Sequence, residues 1–330
     1  TMSIASCETG SKKDSKKEKK PLREGSEGSE NSEVQNACKS SDIVSILGRG
    51  RSIVARSLSQ NNSYQVWSMT SKKLIGTINY IKNFHSISNN ANFYLRKITP
   101  NYFQLQAVKE NTHYIEGLRF SSAAAKVEFS DDSEFILSMY TKKHSRSKRL
   151  VVFDIRKREL VYGRSFQNLK LSKLVNEERL LVVTGSRGAN NELLVINPLI
   201  ESERKIKLSA GKVHSVTHLK NRIIVKVGRN IDVYNSRTLR RDFSYARKIL
   251  FTTDYSSNTI LVTSSDRKDL TLIDVKRNET IARFRAPDKI LASTCKINHM
   301  AREIVCKSAI DPNKVIKFDY LKNELTEVCL

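Results

Sequence analysis

The sequence predicts an all-β chain: a single seven-bladed β-propeller over residues 41–330, preceded by a disordered charged tail over residues 1–40. Three observations predict it. A strand–turn–strand pattern recurs seven times at a spacing near 40 residues, apolar residues alternate with a period close to 2, and helical patterning is nearly absent.

The clearest copy is "RLVVFDIRKRELVYGRSF" (149–166), in which an alternating apolar strand ends at Phe153-Asp154, a basic turn follows and a second strand begins. The other copies are "YQVWSMTSKKLIGTI" (64–78), "YFQLQAVKENTHYIEGL" (102–118), "ELLVINPLIESERKIKL" (192–208), "NIDVYNSRTLRRDF" (230–243), "DLTLIDVKRNETIARF" (269–284) and "KVIKFDYLKNELTEVCL" (314–330). Aligned on the residue before the turn, the anchors are Trp67, Gln106, Phe153, Ile196, Tyr234, Ile273 and Phe318, separated by 39, 47, 43, 38, 39 and 45 residues. Strand–turn–strand units at that period are the mark of propeller blades. Two further strands precede each copy, as "AKVEFS" and "EFILSMY" do in the third unit and "KILFTTD" and "TILVTSS" in the sixth. Each blade thus supplies its own four strands, the last at 324–330, and no strand borrowed from the N-terminus is visible.

After the anchor come Ser68, Ala107, Asp154, Asn197, Asn235, Asp274 and Asp319. Asp and Asn there are suited to capping a turn, because their short side chains bond nearby backbone amides. On these residues the chain resembles the WD-repeat family over essentially all of 41–330. Asp154, Asp274 and Asp319 match the aspartate of the family's Trp-Asp dipeptide, with Phe153, Ile273 and Phe318 in the tryptophan's place. Trp67 keeps the tryptophan but is followed by Ser68, and the Gly-His element that opens a repeat is missing. The resemblance implies an interaction platform.

Length and charge bound the rest. The chain has 330 residues and a net charge of +24. Residues 1–40 hold eight basic and seven acidic residues, so the body carries 50 basic and 27 acidic ones, or +23. The tail has too few large apolar side chains to offset chain entropy by burial. Its lysine run "KKDSKKEKK" is suited to nuclear import, so the expected location is nuclear, with a cytoplasmic one as the alternative. "MSIA" is too short for a signal peptide, and no apolar run approaches the roughly 20 residues of a membrane-spanning helix. Cys7, Cys38, Cys295, Cys306 and Cys329 are odd in number and contain no C-x-x-C pair, so they read as free thiols.

No catalytic motif stands out. "HSVTH" spaces His214 and His218 as two ligands on a helix would be, but here it reads as a first blade strand, where four residues span about 13 Å. "GRGRS" (48–52) and "GSRGAN" (185–190) read as hairpin turns rather than phosphate loops, since neither opens a helix. The reading is a non-enzyme with no cofactor, no metal and no small-molecule substrate.

The excess charge therefore points to partners. In a propeller, loops between strands two and three lie on one face, and turns between strands three and four on the other. The first face receives Lys142, Lys143, Arg146, Lys148, Arg149, Arg187, Arg229, Arg267 and Lys268. The second receives Lys72, Lys73, Arg156, Lys157, Arg158, Arg237, Arg240, Arg241, Lys276 and Arg277. The favoured reading is a docking platform in a nuclear chromatin or RNA–protein assembly, with protein partners and nucleic acid or nucleoprotein as ligands, because phosphate contacts need Lys and Arg but no particular fold. The dense run 142–149 is the first choice of site, with Arg156, Lys157 and Arg158 as the opposite-face comparison. The alternative is a cytoplasmic or membrane-associated adaptor for acidic proteins or phosphoinositides. "TLRRDF" (238–243) resembles the double-arginine motif of phosphoinositide-binding propellers, but Asp242 stands where that motif has glycine, which disfavours a membrane headgroup. Only 24 aromatic residues occur, mostly at core-facing strand positions, which disfavours a dedicated single-strand binder.

Overall fold

The computed structural model describes residues 6–7, 41–57, 63–79, 81–109, 114–120, 122–141, 147–185, 191–253, 257–263, 269–285 and 290–329. They form seven antiparallel sheets in which four consecutive strands pair in chain order, giving blades over 41–79, 84–119, 124–166, 169–207, 213–245, 249–285 and 290–329. The hairpin 149–166 supplies strands three and four of blade three, Lys148–Asp154 and Glu159–Phe166.

The seven apolar clusters each sit between two neighbouring blades. Leu180–Val183 shows why. All four are fully buried, yet Leu180 and Val182 pack with Leu150 and Val152 of blade three, while Leu181 and Val183 pack with Val216 and Val225 of blade five. Period-2 alternation sends successive side chains to opposite sheet faces, and a blade covered on both faces needs apolar residues on both. This is why the inner strands read as continuous apolar runs.

The anchors occupy equivalent places. Trp67, Gln106, Phe153, Ile196, Tyr234, Ile273 and Phe318 are all buried, at 1–7% exposure. Each lies opposite a fully buried residue of the second strand: Ile53, Tyr94, Ile136, Leu180, Ile223, Ile260 and Ile304 respectively. Each apolar anchor packs back on the preceding blade; Phe318 stacks on Phe284 of blade six with ring centroids 3.8 Å apart. Gln106, the one polar anchor, is satisfied by the Tyr94 hydroxyl, which donates to its side-chain carbonyl.

The turns after the anchors are built alike. Asp154 accepts from the Lys157 amide at 2.9 Å, and Asn197, Asn235, Asp274 and Asp319 accept from amides two or three residues on. Ser68 does the same with its hydroxyl toward Ser71. Four residues after each cap the backbone turns left-handed, at Lys72, Arg158, Glu201, Leu239, Asn278 and Asn323. That conformation reverses the chain in a fixed register.

The ring closes between blades seven and one. Trp67, Ile43 and Ile53 pack against Val305, Val315 and Val328, and the Ile43 amide donates to Pro312 at 2.9 Å. Gly50, with φ +74, lies where a Cβ would meet the Val305 side chain at 2.8 Å, so glycine is required there on both counts. Ser6–Cys7 adds a two-residue strand to the outer edge of blade seven, opposite Val328 and Glu327, an N-terminal addition that the strand pattern of 41–330 does not reveal.

One expectation is overturned. Cys295 and Cys306 form a disulfide rather than remaining free thiols. They face each other on the first two strands of blade seven, with Cα atoms 4.1 Å apart, a cross-strand closeness that cysteine spacing alone does not reveal. Cys38 lies outside the described residues.

Two stability measurements check this architecture, with Trp67, the sole tryptophan, as the fluorescent reporter at the ring closure. Phe153→Ala is expected to lower unfolding free energy in urea by about 3–5 kcal/mol, as truncation of a buried aromatic does. Replacing both Cys295 and Cys306 by alanine should lower it by about 3 kcal/mol, from the entropy of a loop spanning 11 residues; an unchanged midpoint would exclude a stabilising disulfide.

Candidate functional site

On the first face, Lys142, Lys143, Arg146, Arg187, Arg267 and Lys268 lie outside the described residues. Arg229 is an exposed turn residue. Lys148 and Arg149 are not loop residues: they pair with Thr141 and Tyr140 at the start of a strand. Lys148 Nζ donates to the Leu169 carbonyl at 3.4 Å, and the Arg149 guanidinium lies over Gly163, where a Cβ would meet it at 3.1 Å. Both are half-buried, because extending the hairpin by two ladder pairs gains backbone hydrogen bonds that a loop would leave to water.

The second face holds its cations in regular turns. Arg156, Lys157 and Arg158 are exposed in the three–four turn of blade three, Arg237 and Arg240 in that of blade five, and Lys276 and Arg277 in that of blade six. Lys157, itself exposed, reaches the buried Asp154 only at 3.9 Å, a long contact that contributes little. A concavity of about 610 Å³ opens between blades two and three. Arg156, Arg158 and Lys109 stand around it, Phe93, Ala107 and Ile155 form its apolar part, and Glu134 is its one acid.

Beside that groove the central channel opens on the same face. The one–two turns of blades one, two and three ring its mouth through Arg51, Asn89 and Asp131–Ser133, and the first strands of blades four to seven supply Lys173, Ser215, Thr252 and Lys296. Asp131 holds Lys173 at 2.6 Å. Burial lowers the Lys173 pKa, but the carboxylates of Asp131 and Glu128 outweigh it and the net shift is upward. Lys296 is shifted down, by burial first and then by Lys173.

The double arginine is held by its neighbours. Arg241 begins the fourth strand of blade five and donates to the Ser209 hydroxyl at 3.1 Å, with Asp232 at 4.0 Å. Asp242 pairs with Arg222 at 3.0 Å, so its charge is engaged within the blade rather than free beside Arg240.

"HSVTH" is the first strand of blade five, Val213–His218. His214 is exposed, while His218 is fully buried and accepts from the Arg179 guanidinium of blade four at 2.7 Å. Burial, then the Arg179 charge, pushes the His218 pKa down to about 3. The ring is therefore neutral when folded. As pH falls below the ordinary histidine value of about 6.5, the unfolded chain takes up a proton that the fold refuses, so stability is lost between about pH 6.5 and 3. In that window the slope from this group approaches about 1.4 kcal/mol per pH unit, and His218→Gln should flatten it in urea unfolding series; an unchanged slope would mean that other groups carry the acid sensitivity.

Among the described residues, no three metal-ligating side chains cluster. The channel and its half-buried lysines are not foreseen from the sequence; the only signal for them is polar residues on first strands, such as Lys173 and Lys296, where apolar ones would be expected.

No protein-family model matches the chain, and no curated protein matches it. Solved structures do. Hsv2 from Kluyveromyces lactis superposes with a TM-score of 0.60 at 11% identity, over 88% of this chain and 98% of that one. The β-propeller domain of Cps50 (Swd1) from Myceliophteria thermophila gives 0.54 at 10% identity, over 88% and 96%. At such identities the likeness carries the fold alone: the chain has the seven-bladed β-propeller fold.

Proposed function

We propose that the protein is a non-catalytic interaction scaffold whose basic second face docks a polyanionic partner within a nuclear chromatin or RNA–protein assembly. The observation that supports this reading is the arrangement of the three–four turns. The shared cap and left-handed residue project Lys72, Lys73, Arg156, Lys157, Arg158, Arg237, Arg240, Lys276 and Arg277 into solvent around one rim, and among the described residues only Lys157 of these lies within ion-pair distance of a carboxylate. A rim of exposed cations suits a phosphate backbone, which needs charge spread over distance rather than one shaped pocket.

A second reading has its own observation. The groove between blades two and three sets Arg156, Arg158 and Lys109 around an apolar floor of Phe93, Ala107 and Ile155, which suits an acidic peptide of an adaptor's partner better than a sugar–phosphate chain.

Fluorescence anisotropy with mixed-sequence duplex DNA and single-stranded RNA at increasing salt tests both. Affinity should fall linearly on a log–log plot, with a slope of about 0.9 per neutralised phosphate for duplex and about 0.7 for single strands. Replacing Arg156, Lys157 and Arg158 with serine should weaken binding equally across sequences and flatten that slope, while serine at Lys142, Lys143 and Arg146 should leave it unchanged. Loss from the latter set alone would move the site to the first face. No nucleic-acid binding at low salt, with an acidic peptide bound in the groove, would establish the second reading instead.

A further inference from the structure

The central channel holds charge that its own walls do not neutralise. It encloses about 820 Å³, within the range of about 300–1,000 Å³ typical of small-ligand sites. Lys173 is matched by Asp131, and Asp132 turns Oδ1 toward the Ser130 hydroxyl and the Glu134 amide of its own turn. Three cations thus face two carboxylates, which leaves one positive charge in excess and two cations outside any ion pair. Among the described residues, no carboxylate lies within ion-pair distance of Lys296, which projects from the first strand of blade seven, or of Arg51 at the mouth.

The facing wall has a different chemistry. Ser215 and Thr217 of blade five and Thr252 and Thr253 of blade six line the same space, with the Thr217 and Thr253 hydroxyls 3.4 Å apart. A propeller needs no such wall for stability: small apolar residues would fill the first strands without burying a lone ammonium, whose burial costs free energy unless it is paired. Burial and then Lys173 shift the Lys296 pKa down, Asp131 offsets part of that shift, and an anion entering the channel would favour the charged ammonium further.

We propose that the central channel binds a small phosphate monoester of a polyol, its phosphate set between Lys296 and Arg51 and its hydroxyls against the Ser215–Thr217 and Thr252–Thr253 wall. A phosphate monoester carries about 1.5 to 2 negative charges at neutral pH and three acceptor oxygens, so it can accept from Lys296 and Arg51 at once. The volume exceeds what inorganic phosphate fills, and the hydroxyl wall gives the remaining space a purpose. The site is independent of the rim cations, so the two readings fail separately.

Calorimetry on the full chain tests this with three probes: glucose 6-phosphate, inorganic phosphate and glucose. The expected result is saturable one-site binding of glucose 6-phosphate, at least tenfold weaker binding of inorganic phosphate, and none of glucose. Lys296→Met should weaken glucose 6-phosphate binding at least tenfold while leaving the fold as stable as before or more so. The Arg156, Lys157 and Arg158 serine variant should bind within twofold of wild type. Thr217→Val, in the opposite wall, should weaken the ester but not inorganic phosphate, and it tests the site independently if Lys296→Met does not fold. No saturable binding, equal affinity for the ester and inorganic phosphate, or affinity unchanged in both channel variants would overturn the assignment. So would loss of binding in the rim variant alone.

Discussion

The interface between neighbouring blades is the constraint on which everything else in this propeller depends. A single four-stranded sheet of this size cannot bury two apolar faces by itself. Each face must be covered by the next blade, and the only arrangement that covers every face is a closed ring. The anchor before each three–four turn carries that demand: Phe153 packs back among Leu95, Phe103 and Ile136, and Trp67 among Val305, Val315 and Val328. Remove the last contact and two apolar faces meet water together. The sole tryptophan therefore sits where the ring has most to lose.

Once the blades are fixed edge to edge, their polar chemistry follows. Contacts between blades recur one repeat apart in sequence: Arg179 to His218 and Arg164 to Glu203 at 39 residues, His85 to Val127 at 42 and Lys126 to Ser172 at 46. Residues far apart in the chain become neighbours because the repeat period is converted into rotation about the channel axis. The same conversion gathers one–two turns of blades one to three and first strands of blades four to seven around one channel, and three–four turns from every blade onto one rim. Side chains from many repeats converge at both of those places, as the two–three loops do on the opposite face.

The capped turn connects these levels. Asp154 uses its carboxylate to hold the Lys157 amide and thereby sets Arg158 in the left-handed region, with its side chain over the groove between blades two and three. The same geometry at Asn235 and Asp274 sets the cations of blades five and six on the rim. A local turn motif thus decides which face is basic, and the inner strands decide what the channel offers.

The blades, their number and their register are legible in the sequence. They rest on local physics: alternation of apolar residues over a few positions, and turn-capping Asp and Asn one residue after the anchor. Phe153-Asp154 and Phe318-Asp319 state both in two letters, and even Gln106 declares itself by position. Contacts across blades or across strands are not legible in this way and belong to the folded ring. Cys295 and Cys306 are 11 residues apart, and their meeting depends on a register shift in the first strand of blade seven that no residue pattern announces. Nothing beside His218 in the chain points to its arginine partner, nor beside Asp242 to Arg222. Lys173 and Lys296 are two more cations among 58 until the ring turns them into the same channel. Periodicity is a property of neighbours along the chain, whereas the environment of a charge is set by neighbours in space, and the closed ring alone determines who those are.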